Sequence, residues 1–296
     1  MNHSSQTIAL RHLFGALAFI LSILLSAQAL AGTVLLLDYD DGDDVEASMI
    51  QAGHEVTRLD YDLWVGTNPA PEAFDLVFLL NADYGYELGQ SATPPDIVAP
   101  YQALEAYVRG GGVFATTAWT AFSMYDNDDP VVMTALDPIV PFDYTTGVVD
   151  ATYDYSGTYE VTVSASPLTA GLPATWNAVV EADGGDCIAL KPGAISVIER
   201  DFDYSNDLAG CPAEKWPGLA YISIDAGTGI WLNSDLGYED DADVTPELLQ
   251  VINNIVAFAS PSTTATPVPA LADWVLTLLA LMMGLLGATY LRSRYI

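Results

Sequence analysis

The chain has 296 residues, enough for one large domain or two small ones once targeting segments are set aside. Thirty-nine Asp and Glu against eight Lys and Arg give a formal net charge of −31. A surface of that sign repels nucleic acid and anionic lipid, which excludes nucleic-acid partners, and it attracts cations.

The N-terminus reads as a secretory signal over residues 1–31. Arg11 and His12 precede an apolar run from Leu13 to Leu25, and Ala29-Leu30-Ala31 is a small-residue cleavage pattern. The run is short for a membrane span, so cleavage after Sec-type export is expected rather than retention as an anchor. Between residues 32 and 259 only five basic residues face thirty-eight acidic ones, a balance of −33. Solubility or a salty medium explains that surface as readily as a dedicated acidic function.

Thr33 to Leu37, ending in Asp38, has the pattern of a buried strand. Val45 to Ala52 has helical spacing and stops at Gly53. His54 to Leu59 is a second strand. Phe74 to Leu80 is a third, apolar throughout as a strand covered on both faces must be. Pro100 to Arg109 is a helix closed by Gly110-Gly111-Gly112, and Val113 to Thr117 is a fourth strand. This order predicts a doubly wound, mostly parallel, flavodoxin-like sheet. From Tyr144 to Val163 and from Val179 to Glu199 the texture changes to alternating Tyr, Thr and Val, which predicts added antiparallel strands. Leu219 to Ile224 and Gly229 to Leu232 are two returning strands, and Pro246 to Ala259 is an amphipathic closing helix. Residues 260–267 are rich in Ser, Thr and Pro, the composition of an extended spacer.

Residues 274–291 form an uncharged apolar run. At about 1.5 Å per residue it covers roughly 27 Å, a bilayer's hydrocarbon thickness. Arg292 and Arg294 follow at once and belong on the cytoplasmic side, which leaves the bulk of the protein outside the cytoplasm. Val268-Pro269-Ala270-Leu271-Ala272-Asp273-Trp274, the apolar run and the Arg-containing tail together resemble the IPTL-CTERM sorting domain. That family's signature is Ile-Pro-Thr-Leu-Ser-Glu-Trp; Pro269, Leu271 and Trp274 are kept and four positions are substituted. The resemblance implies recognition by an exosortase-like processing enzyme. The expected location is then the inner membrane facing the periplasm, or the cell surface after C-terminal processing.

Cys187 and Cys211 are the two cysteines, and in an oxidising compartment an even pair predicts a disulfide. The closed loop of about 23 residues would contribute about 3 kcal/mol on the chain-entropy estimate.

The body, over most of residues 33–259, resembles the class I glutamine amidotransferase-like superfamily, and most nearly its trehalose-utilisation-like (ThuA-like) branch. The stretches that carry this are Val34-Leu35-Leu36-Leu37-Asp38, Ala52-Gly53-His54-Glu55-Val56, Phe74-Asp75-Leu76-Val77-Phe78, Tyr107 to Phe114, Ser166 to Pro173 and Gly227 to Leu232, in that order. Active amidotransferases carry a nucleophilic Cys with a His partner in the turn after the Gly-rich strand. Here that turn offers Ala118 and Trp119, and His54 is the one histidine between residues 32 and 259. A nucleophile needs a base within hydrogen-bond reach, so no catalytic residue is assigned and classical amidotransfer is not expected. The resemblance leans towards carbohydrate.

Ligands in open α/β sheets bind beyond the carboxyl ends of the strands. The candidate site is therefore the loop Asp38, Asp40, Asp41, Asp43, Asp44 with Trp119 across from it. Two readings of the acids stand: a Ca²⁺ site, though the spacing is not that of an EF-hand, or caps and first-turn acids of the following helix. The runs Asp126 to Asp129 and Glu239 to Asp243 read as solvated loops. Tyr84, Tyr86, Trp119, Tyr125 and Tyr144 are either sugar-stacking faces or ordinary half-buried loop aromatics. Two functions remain open. One is a non-catalytic binding or interaction protein of the envelope. The other is an extracellular sugar- or glycan-acting enzyme using carboxylates or a bound metal.

Overall fold

A computed structural model describes residues 31–38, 42–80, 88–118, 120–121, 124, 134–145, 155–180, 188–202, 215–234, 236 and 244–260. All fall in one unit, Met1–Ser260; nothing in the second, Pro261–Ile296, is described. The signal peptide up to residue 30, the spacer beyond Ser260 and the sorting segment with Pro269, Leu271, Trp274, Arg292 and Arg294 lie outside the described residues. So do Cys187 and Cys211, on which the disulfide expectation rests. Among the described residues no helix is long and apolar enough to cross a membrane.

The chain opens with β1 (Thr33–Asp38), α1 (Asp43–Gln51), β2 (Glu55–Asp60), β3 (Leu76–Leu79), α2 (Ala99–Arg109) and β4 (Val113–Thr116). β1, β3 and β4 are buried nearly throughout because helices cover both faces of the sheet. One core lies under α1 and holds Val34, Leu36, Val45, Met49 and Phe78. The other lies under α2 and holds Leu35, Leu37, Tyr101, Leu104, Val108 and Trp231. Consecutive residues of β1 thus feed opposite cores, as the period of two requires. α2 has Pro100 in its first turn and runs into Gly110; Gly111 follows at φ 112°, a left-handed position where a side chain would be strained.

The remaining elements are β5 (Phe142–Asp143), β6 (Tyr155–Val161), β7 (Thr175–Val180), β8 (Ala189–Leu190), β9 (Ile195–Phe202), β10 (Trp216–Ile224), β11 (Gly227–Leu232) and α3 (Pro246–Ala259). Thr245 caps α3 by accepting from Leu248 N–H, and Leu248, Val251, Ile252, Ile255 and Val256 seal the first core. The nine-stranded sheet has the order β2-β1-β3-β4-β11-β10-β9-β6-β7. Its first five strands run parallel, and from β11 onward each neighbour is antiparallel. The architecture is therefore mixed α/β, a parallel central sheet extended by antiparallel strands.

Two strands begin earlier than the sequence pattern predicts. β7 starts at Thr175, and β10 starts at Trp216 rather than Leu219. Pro217 cannot donate to a ladder, but it sits where the β9–β10 register shifts, and the bulge accommodates it.

Candidate functional site

The parallel strands end together at one rim, and strand order reverses between β1 and β3. Asp38, the last residue of β1, is 3% exposed. Arg58, on the neighbouring strand opposite Leu36, reaches up to it: Nε and Nη2 donate to Asp38 Oδ2 at 2.8 and 2.5 Å. Gly42 N–H donates to the same oxygen at 3.0 Å. The guanidinium also contacts Asp43 and, at 3.5 Å, Glu46. Burial pulls the Arg58 pKa down, but the hydrogen bond to Asp43 and the charge and hydrogen bonds of Asp38 more than offset it, so the group is held above its ordinary value. Gly42 is required by proximity: a Cβ there would meet Asp38 Oδ2 at 2.7 Å and Leu80 Cδ2 at 2.9 Å.

This geometry divides the predicted acidic cluster. Asp38 is a buried, hydrogen-bonded carboxylate. Asp43 and Asp44 are exposed acids in the first turn of α1, placed well for the helix dipole, but neither caps it; the N-cap is Gly42. Asp40, Asp41 and Trp119 lie outside the described residues. Among the described residues, the cation paired with Asp38 and Asp43 is the chain's own Arg58. Among the described residues no group of three His, Cys, Asp or Glu side chains is placed to hold a metal ion.

Beyond β4 and β11 the described residues of the rim include several hydroxyl and amide side chains. Thr116, Thr117, Thr120, Asn233 and Ser234 are all buried. Thr116 Oγ1 and Thr120 Oγ1 share a hydrogen bond, and Trp231 Nε1 donates to Thr117 O at 3.1 Å. Asn233 Nδ2 donates to Pro217 O at 2.9 Å, and the fully buried Arg200 donates from Nη1 to Asn233 O at 2.7 Å. Among the described residues the Ser234 hydroxyl has no hydrogen-bond partner.

His54 lies at the far end of the sheet, beside the start of β1, where its Nδ1 accepts from Gly32 N–H at 3.1 Å. Burial lowers its pKa and keeps it neutral. It cannot serve as a base at the rim.

Arg58, Arg200, Asn233 and Ser234 did not stand out in the sequence. One signal for the first two was available: basic residues are so scarce that each is worth accounting for. Among the five between residues 32 and 259, Arg109 pairs with Glu105 and Asp225, Lys191 with Asp137, and Lys215 with Glu160.

No family model matches the chain, and no curated protein matches it. Solved structures do. A ThuA-like protein from Parabacteroides merdae superposes with a TM-score of 0.55 at 12% identity, over 81% of this chain and 93% of that one. A cytoplasmic protein from Salmonella typhimurium gives 0.54 at 12% identity, over 77% and 98%. A second from Salmonella typhimurium LT2 gives 0.53 at 13%, over 77% and 97%. The body therefore shares the fold of ThuA-like structures.

Proposed function

We propose that the chain is an exported, envelope-sorted protein whose ThuA-like domain binds or interacts without catalysing a reaction, and that carbohydrate is its ligand class. The observation that carries this reading is the self-neutralised Asp38. With Arg58 and Gly42 already on it, the carboxylate is not free to act as a metal ligand or a general base, and among the described residues the β4 and β11 ends offer hydroxyl and amide groups. Neutral polar groups of this kind suit a neutral polyhydroxy ligand. The placement of His54 at the opposite end of the sheet supports the absence of nucleophilic chemistry.

The address rests on the two ends of the sequence. Export through the Sec-type machinery, a Cys187–Cys211 disulfide, insertion of residues 274–291 in the inner membrane and handling by an exosortase-like enzyme belong together as one proposal. Intact mass of the protein recovered from its native host reports both cleavages and the disulfide at once. A mass equal to the full chain with two free thiols refutes that history. For the domain, calorimetric titration against a panel of oligosaccharides, run beside a product-release assay, is the test. Heat without turnover is the expected result, and release of sugar products refutes the non-catalytic reading.

A further inference from the structure

Cleavage after the small-residue pattern Ala29-Leu30-Ala31 leaves Gly32 as the first residue of the mature chain. In the folded body the boundary with solvent falls at the same bond: Ala31 is exposed and Gly32 is buried. The two observations are independent, since the first comes from residue order and the second from the way the chain enters the sheet ahead of β1.

Gly32 is bonded on both sides. Its N–H donates to His54 Nδ1 at 3.1 Å, and its carbonyl accepts from Glu55 N–H at 2.9 Å. His54 is 7% exposed, and burial keeps the imidazole neutral, so Nδ1 acts as an acceptor. Val256 and Ser260, at the end of α3, form the opposite wall. A Cβ on residue 32 would lie 2.9 Å from Val256 Cγ1 and would run into the buried Ser260 hydroxyl, so glycine suits this position. One residue further on, the Asp75 carboxylate accepts from Thr33 N–H at 2.8 Å and from the Thr33 hydroxyl at 3.1 Å. Glu55 stands in register with Thr33 on β2. The Gly32 nitrogen is thus met by a neutral acceptor and has two carboxylates nearby, surroundings that favour a positive charge.

We propose that His54, Asp75, Val256 and Ser260 form a socket for the α-ammonium group of the mature chain, created when signal peptidase hydrolyses the Ala31–Gly32 bond. Water supplies the oxygen that leaves Ala31 as a carboxylate on the leader, and the Gly32 nitrogen takes up the protons to become an ammonium group. One of its N–H groups stays on His54 Nδ1, now as a charge-assisted bond stronger than the amide bond it replaces. Ala31 is exposed, so the side from which it departs is open to water. Processing thereby fastens the start of β1 at the end of the sheet remote from the rim. This inference rests on the reading of residues 1–31 as a cleaved leader and is independent of the carbohydrate reading.

The test uses mature protein recovered from its native host. N-terminal sequencing locates the first residue, and trace acetylation with acetic anhydride at about pH 8, near the ordinary α-amine pKa, reads how well that amine is held. Gly32 should be first, and its amine should react about tenfold more slowly in the folded protein than in urea. His54→Leu, which removes the acceptor, should restore fast labelling. His54→Asn, whose Oδ1 stands close to where Nδ1 was, should keep it slow; this variant and the comparison of folded wild type with urea decide the matter if His54→Leu folds poorly. An uncleaved chain overturns both the leader reading and the socket. A first residue other than Gly32, equal labelling of folded and unfolded wild type, or His54→Asn labelling as fast as the protein in urea overturns the socket alone.

Discussion

Replacing Arg58 by Met keeps most of the aliphatic stem and removes the charged fork. Asp38, whose side chain is 1% exposed, then loses donors at 2.8 and 2.5 Å and keeps Gly42 N–H at 3.0 Å. Stripping one partner from a buried ion pair costs about 3–5 kcal/mol. The Arg58 side chain is 22% exposed, so water takes over part of its role. A loss of about 2–3 kcal/mol is expected. The contacts to Asp43 and Glu46 add little, because Asp43 is 81% exposed. Urea unfolding should show a lower midpoint at an unchanged slope. The double variant Asp38→Asn/Arg58→Met should be about 1–2 kcal/mol more stable than the two single losses summed, because a neutral amide still accepts from Gly42 without needing a counter-charge. A single-variant loss below about 0.5 kcal/mol, or strict additivity, refutes the assignment of Arg58 as the counter-ion of a buried carboxylate.

Two further outcomes follow from other parts of the sheet. A Cβ at Gly229 would lie 1.8 Å from the Ile139 carbonyl oxygen, a backbone atom that cannot swing aside, so Gly229→Ala should cost about 3 kcal/mol or more; thermal unfolding checks this, and a wild-type midpoint contradicts it. His54 has a folded-state pKa below the ordinary value because burial disfavours its charge, so the unfolded chain binds its proton first as the pH falls. Stability from this group is fully present above the unfolded pKa of about 6.5, declines below it, and is lost once pH has passed the folded pKa. His54→Gln should flatten that part of the stability–pH curve, and an identical curve would show that His54 is not the group responsible.

How far the sequence could be read depended on how local each cause was. The helix from Pro246 to Ala259 was legible to the residue, since its cap, its first-turn proline and its apolar spacing all lie within one stretch of chain. β10 was read short, and Pro217 fits the strand because the β9–β10 register shifts between Pro217 and Leu219, which the sequence does not show. The place of His54 was legible as well: it follows a helix-ending glycine and opens the second strand, which puts it at the opposite end of the sheet from the rim.

The acidic loop was legible as a composition but not as a site. Asp38, Asp43 and Asp44 look alike in a row of acids, and their different fates depend on Arg58, twenty residues beyond Asp38. Hydrophobic periodicity and helix caps act between near neighbours, so residue order by itself determined the layered α/β body and most of its elements. Which carboxylate is buried, which is solvated, and that Glu160 stands against Glu199 came only with the tertiary fold, because charge pairing is set by distances that the sheet register creates.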